Sequence, residues 1–400
     1  MRPFSPPNLN DVIPADPAVD FSNEPKLRIL HVFRAPVGGL FRHVCDLAHG
    51  QIARGHQVGL ISDSATGGAR AEAILAELAP KLALGLHRLA MPRQVGFRDI
   101  ACVSQVNKLI ADAKPDVVHG HGAKGGAYAR LSHANLDAIR VYTPNGGSLH
   151  KPNTLAGLIY HSLERILAPR TELFLFESEF AHNTFLKSVG RPGCLAAVVC
   201  NGVSAAEFEP IEHLSDATDI IFIGELRMLK GIDVLIDAVA DLHAAGRPVT
   251  ASLVGDGPDR ASLEALVAER GMAQFVRFLG AMPARQAFAN GRLMVVPSRA
   301  ESLPYVVLEA AAAGLPIIST RVGGIGEIFG PQAHRLIGPG CPKALSDAIA
   351  AAMDNPLDAQ ASANLLQERV RQVFAVDSMV DGAIAGYRKA IARNLAKSAD

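Results

Sequence analysis

LRILHVF, residues 27–33, followed by RAPVGG, residues 34–39, decides the fold class of this chain. The first seven residues are an apolar run of strand-forming side chains. The next six are a turn ending in a glycine pair, and the periodicity from about Leu40 to Arg54 is that of an amphipathic helix. Strand, glycine turn and helix open a doubly wound α/β domain. The turn lacks the G-x-G-x-x-G spacing of a nicotinamide-binding fingerprint, which disfavours a dehydrogenase.

Working outward, the alternation continues. Val58–Ile61, Leu86–Ala90, Val117–His119, Arg140–Thr143, Leu173–Glu177 and Ala197–Cys200 read as strands. Helical patterns fall between them, near 70–79, 98–113, 124–135, 155–168 and 179–189. Nearly continuous apolar strands separated by helices predict a parallel sheet covered on both faces. The pattern then restarts at Ile220–Ile223, with Gly224 and a helix to about Leu242. Thr250–Val254, Val276–Leu279, Met294–Val296, Ile317–Thr320 and Arg335–Ile337 are read as further strands. The expected organisation is a Pro-rich flexible tail over 1–25, a Rossmann-like domain over 26–203, a second over 204–376, and a helix over 377–400 packing back on the first.

Composition narrows the function classes. The chain has 400 residues, 39 Lys+Arg and 39 Asp+Glu, so no global polyanion binder is expected, and no nucleic-acid partner. The balance is uneven, however: residues 26–200 carry 20 basic and 12 acidic side chains, and residues 201–400 carry 18 and 23. Five cysteines without a C-x-x-C pair argue against a disulfide framework or thiolate zinc site and favour a reducing, cytoplasmic setting. No run of 18 apolar residues and no signal-peptide pattern is present.

Candidate chemistry concentrates in PSRAESLPYVVLEAAAAGLPIISTRVGGIGEI, residues 297–328. Ser302 is a good N-cap and Pro304 suits a first turn, so a helix is expected from about Ser302. Glu301 would precede it and Glu309 would lie roughly 9 Å along it. The free amides and positive end of such a helix can meet a pyrophosphate. Glu309 can accept from a ribose diol, and Glu301 from sugar hydroxyls; two ordinary acids at a helix start are the alternative. GELRMLKG, residues 224–231, follows the first strand of the second half. Gly224 admits a close ligand, and Arg227 and Lys230 can neutralise a diphosphate, or else form a solvated basic turn. Gly255-Asp256-Gly257-Pro258 and Gly323-Gly324-Ile325-Gly326 close two further strands on the same rim.

On the N-terminal side Gly38-Gly39, His119-Gly120-His121 and Thr143-Pro144-Asn145 stand at strand ends, on the expected acceptor side. His-x-His without a clear third ligand suits acceptor contact or structural hydrogen bonding better than a metal. Phosphate-loop, H-E-x-x-H, G-x-S-x-G and D-x-D signatures are absent.

Together these motifs resemble the retaining family-4 glycosyltransferases of the GT-B fold, over about residues 27–390. The 297–328 segment is similar to that family's E-x7-E region and glycine-rich loop; GELRMLKG and VGDGP (254–258) match in order and spacing. The closest likeness is to bacterial transferases of surface-polysaccharide assembly. The resemblance implies two Rossmann-like domains facing a central cleft, a UDP- or GDP-sugar as donor, no cofactor and no metal. It gives Arg227 and Lys230 the donor diphosphate, Glu301 the donor sugar and Glu309 the ribose. The amides of Ser302 and Leu303, with Gly224, Gly255, Gly323 and Gly324, complete the donor side, and Gly38 and Gly39 leave room for donor and acceptor. A saccharide or lipid-linked acceptor, and an anionic inner-membrane surface facing the basic half, are expected partners. Two departures stand out: Glu225 where the family often has Arg, and Asn145 where it often has His, for which His121 or His150 would compensate. They motivate a non-catalytic sugar-nucleotide binder as a rival reading; a two-Rossmann epimerase is another.

Overall fold

The structure, a computed structural model, describes residues 24–133, 137–146 and 155–399, without the side chains of 155–160 and 398–399. The chain divides into two compact units, one running to Asn201 and resuming at Val376, the other Gly202–Ala375.

The first unit holds β1 (Arg28–Phe33), β2 (Gln57–Asp63), β3 (Leu86–Leu89), β4 (Val117–His121), β5 (Ile139–Thr143), β6 (Leu173–Phe176) and β7 (Leu195–Val198). They form one sheet in the order β3-β2-β1-β4-β5-β6-β7, all pairs parallel. β1 is buried along nearly its whole length, as a strand covered on both faces must be. One face packs on the C-terminal helix Val376–Ala399, whose Met379, Val380, Ala383, Ile384, Tyr387 and Ala390 join Ile29, Val117, Ile139 and Leu173 in one cluster. Their spacing of three and four residues is a single helical stripe. Arg54 ties this helix to Gly38–Ala53 through Asp381 (2.6 Å) and Asp377 (3.0 Å).

The second unit holds β8 (Thr218–Ile223), β9 (Ala251–Val254), β10 (Val276–Gly280), β11 (Gly291–Val296) and β12 (Ile317–Ser319), in the parallel order β10-β9-β8-β11-β12. Helix Ile232–Ala244 buries Val234, Leu235, Ala238, Val239 and Leu242 against the sheet.

Three local expectations shift. The seventh strand ends at Val198, two residues earlier than the apolar run suggested. Arg335–Ile337 is no strand: Gly330–Arg335 winds as a 3-10 helix from Pro331, leaving Ile337 an isolated bridge to Thr320. The helix expected at Ser302 begins at Tyr305, because Pro304 disfavours helical geometry in the residue before it. All five cysteines are free; Cys45 and Cys102 are buried, whereas Cys341 is exposed.

Candidate functional site

In the second sheet the winding reverses between β8 and β11, and open α/β sheets bind ligands at the carboxyl end of such a switch point. The two loops leaving that point are 224–231 and 297–304. They meet through their charged side chains: Lys230 Nζ donates to both carboxylate oxygens of Glu301, at 2.7 and 2.9 Å. Ser298 Oγ donates to the same carboxylate at 2.7 Å, and Thr320 Oγ1 holds the Ser298 carbonyl at 2.6 Å. Glu301 is 8% exposed and Lys230 about a quarter. An ammonium has three donors, so a pair made with two leaves the third to meet an anion.

The neighbouring loops are stitched to these by backbone. Leu226 N–H donates to the Asp256 carbonyl (3.0 Å), Asp259 N–H to that of Leu226 (3.1 Å), and Gly324 N–H to that of Ser302 (2.5 Å). At several crossings only glycine fits, Gly255 and Gly323 among them. A Cβ on Gly255 (φ +141°) would lie 1.8 Å from the Gly224 carbonyl oxygen, and one on Gly323 (φ +58°) 2.1 Å from that of Glu301. Gly224 therefore faces the Gly255 backbone, and its own N–H is spent on the Val254 carbonyl (3.0 Å).

Arg227 is exposed at the tip of the first loop, with Nη1 3.5 Å from Glu225; the acid that replaces the usual Arg thus sits beside the basic side chain two positions on. Glu309 is half-buried on helix Tyr305–Ala312, about 6 Å along it at 1.5 Å per residue. Leu303 is buried, and Ser302 is no helix cap because the helix starts three residues later.

Arg299 and Asp233 carry a contact the motif reading missed. Arg299 forks onto both Asp233 oxygens (2.7 and 2.6 Å) and donates to the Met228 carbonyl (2.5 Å), while its N–H meets the Leu229 carbonyl (2.9 Å). Partial burial pushes the Asp233 carboxyl up, and Arg299 more than reverses this, holding it below the usual carboxylate range. The pair clamps the 224–231 loop against the 297–304 loop. An Asp just inside a helix and an Arg after a strand were legible, but not their meeting.

In the first unit Gly38 (φ +63°) and Gly39 open helix Gly38–Ala53. Asn145 takes a left-handed turn after β5 at φ +50°, and its Nδ2 is buried without a hydrogen-bond partner. His150 lies outside the described residues. β1 and β4 pair His31 with His119, which supplies the third imidazole missing from the His-x-His reading. Nitrogens of His31, His119 and His121 lie within 4.8 Å of one another. Their contacts form a hydrogen-bonded chain. Gln51 Oε1 meets His31 Nε2 (2.8 Å), and His31 Nδ1 meets His121 Nε2 (2.9 Å). Tyr387 Oη meets His119 Nδ1 (2.7 Å), and His119 Nε2 meets Thr143 Oγ1 (2.8 Å). Gln51 Nε2 donates to Tyr387 Oη (3.3 Å). Assigning protons along this network places N–H on the Nε2 of all three imidazoles, which leaves a lone pair on His121 Nδ1, a buried atom with no partner.

His119 is fully buried with both ring nitrogens paired, so structural hydrogen bonding describes it. Burial lowers His31 and His43 to about 4 and holds His119 and His121 well below the ordinary imidazole value, with the neighbouring imidazoles adding to the effect. Residues 37–207 match Glycosyltransferase Family 4, and residues 217–355 match Glycosyl transferases group 1. Glycogen synthase of Mycobacterium tuberculosis is 24% identical over 84% of this chain and 88% of its own length. Among solved structures, sucrose-phosphate synthase from Thermosynechococcus elongatus superposes with a TM-score of 0.77 at 19% identity, over 92% of this chain and 100% of that one. Anabaena HepE, in complex with UDP-glucose, gives 0.74 at 21% identity, over 93% and 100%.

Proposed function

Because this chain belongs to the family-4 glycosyltransferases of the GT-B fold, we propose that it moves a hexose, with retention of configuration, from a nucleoside-diphosphate sugar to a saccharide or lipid-linked acceptor in polysaccharide assembly. The observation that carries this reading is the Lys230–Glu301 pair at the switch point, with four glycine-stitched loops around it. In this reading the second unit binds the donor. Lys230 and Arg227 neutralise the diphosphate, and preorganised cations act most on charge that develops as the bond to the leaving phosphate lengthens. Glu301 holds Lys230 at its station and accepts from hydroxyls of the sugar. Glu309 accepts from the ribose diol, and the amides around Ser302–Leu303 line the phosphates, while Gly224, Gly255, Gly323 and Gly324 let the surrounding loops approach closely on the donor side.

The chemistry needs no protein nucleophile. The acceptor hydroxyl attacks the anomeric carbon on the face the diphosphate leaves, and the departing phosphate oxygen takes its proton. Positioning and electrostatics supply the acceleration. The two cations cover the role a bound metal plays elsewhere, so the reaction is proposed to be metal-independent and without cofactor. On the acceptor side Gly38 and Gly39 give close backbone approach, and His121 or His150 takes the place of the histidine that Asn145 replaces. The enzyme is proposed to work in the cytoplasm, peripherally on the inner membrane.

HepE is seen with UDP-glucose, so a donor screen starts there and extends to other UDP- and GDP-sugars, with a membrane extract as acceptor. NMR of the product reads the anomeric configuration. An inverted linkage, or no nucleotide diphosphate bound to the second unit, defeats the proposal. Asn145 and Glu225 favour one rival, a sugar-nucleotide binder, which predicts donor binding with no product from any acceptor.

A further inference from the structure

From the loop after β3 into the first turn of helix Arg98–Ala113 runs the segment Arg93-Gln94-Val95-Gly96-Phe97-Arg98-Asp99-Ile100. Three large apolar side chains of this segment stand in solvent: Val95 is 61% exposed, Phe97 92% and Ile100 70%. Nowhere else among the described residues do three such side chains fall within six positions. Single exposed apolar residues are ordinary, whereas a cluster marks an interaction surface.

The segment is braced. Lys124 Nζ donates to the Gln94 carbonyl (3.0 Å), and Gly96 N–H to Asp99 Oδ2 (2.8 Å). Lys124 and the phenol of Tyr128, itself 1% exposed, both hold Asp99 Oδ1. Phe97 is thus presented on a fixed support. The same contacts settle the charge. The one acid of the segment is committed to Lys124, while Arg93 and Arg98 are exposed. The outward face combines three apolar tips with two cations and no competing carboxylate.

We propose that this segment is the point at which the first unit docks on an anionic phospholipid surface, Phe97, Val95 and Ile100 entering the acyl boundary and Arg93 and Arg98 meeting lipid phosphates. Interfacial segments of this composition seat their apolar face about 5–10 Å deep and bind in proportion to buried apolar area and lipid charge. The excess of basic over acidic residues in 26–200 acts in the same direction. The inference extends the reading of a peripheral location; its test uses neither donor nor acceptor, so either can fail while the other stands.

The chain contains no tryptophan, so Phe97→Trp creates a single fluorescent reporter at a site open enough to take it. Leu365→Trp, on an exposed position of the second unit, is the control. With phosphatidylglycerol-containing vesicles the emission of the Phe97→Trp protein should shift to the blue and be quenched by lipids brominated on the acyl chain. The Leu365→Trp protein should do neither, and pure phosphatidylcholine should bind at least tenfold more weakly. Arg93→Gln and Arg98→Gln should each weaken vesicle binding about fivefold, following roughly 1 kcal/mol per cation at an anionic surface, and Phe97→Asp should weaken it at least tenfold with an unchanged circular dichroism spectrum. Unchanged emission of the Phe97→Trp protein at saturating anionic lipid overturns the proposal. So does equal binding to neutral vesicles. A lipid-free blue shift that grows with protein concentration would overturn it too, assigning the patch to a second copy of this chain instead.

Discussion

Replacing Lys230 by methionine keeps the length of the side chain and removes its charge. In the structure the ammonium lies 2.7 and 2.9 Å from the Glu301 oxygens. Glu301 would keep only the Ser298 hydroxyl from its present partners. Stranding a buried ion costs about 3–5 kcal/mol; with Lys230 about a quarter exposed, solvent screening reduces this to about 2 kcal/mol. The chemical loss is separate. A unit charge about 4 Å from a phosphate contributes about 4 kcal/mol at an effective dielectric of about 20, and removing one preorganised donor typically lowers turnover about 10²–10³-fold. UDP release with UDP-glucose as donor reads turnover, and titration calorimetry with UDP reads binding. Lys230→Met should lower turnover by that factor and weaken UDP about tenfold or more, with the fold intact by circular dichroism. Glu301→Gln supplies the contrast, since it frees Lys230 without removing it. UDP should bind at least as tightly as before while turnover falls. Turnover and UDP affinity within twofold of wild type in Lys230→Met would refute the reasoning.

Other outcomes follow from the same geometry. Arg299→Lys, which cannot fork onto Asp233 while holding the Met228 carbonyl, should cost about 1 kcal/mol in urea unfolding and weaken UDP severalfold, with Asp233→Asn behaving alike. Gly255→Ala, whose methyl would overlap the Gly224 carbonyl, should lower the melting temperature and abolish UDP binding. Tyr387→Phe leaves His119 Nδ1 without its partner and should cost about 1–3 kcal/mol in denaturant unfolding. The buried imidazoles predict a pH dependence. Their folded pKa values lie below the unfolded value of about 6.5, so the unfolded chain binds more protons in between. The stability present above pH 6.5 is lost as pH falls toward 4. His31 and His43, each at about 4, account for about 3 kcal/mol apiece, and hydrogen exchange at pH 5 should show the first unit opening before the second.

The twelve strands were legible because a parallel sheet covered on both faces needs nearly continuous apolar runs. Runs such as Leu173–Phe176 and Ile220–Ile223 have no other easy explanation. Boundaries were less so: Ser302 looks like a cap until Pro304 is given its effect on Leu303, and Arg335–Ile337 is apolar enough for a strand but too hemmed in by Pro331 and Gly338 to extend. The candidate donor residues could be named individually. What spacing could not yield was their pairing, because Lys230 and Glu301 lie 71 residues apart and meet only when β8 and β11 become neighbours. The same holds for His31, which joins His119 through strand register, and for Tyr387, whose hydroxyl reaches β4 across 268 residues. Tertiary contacts of this kind leave no periodic trace.

Helix Val376–Ala399 closes the face formed by β1, β4, β5 and β6, yet it is translated after the entire second unit. On the ribosome the stretch Gly202–Ala375 is therefore uninterrupted and has all its core partners before the earlier-made unit has its own. Until the helix arrives, Ile29, Val117, Ile139 and Leu173 present an open apolar face beside a string of imidazoles that lacks the hydroxyl of Tyr387. The unit made first is the one completed last.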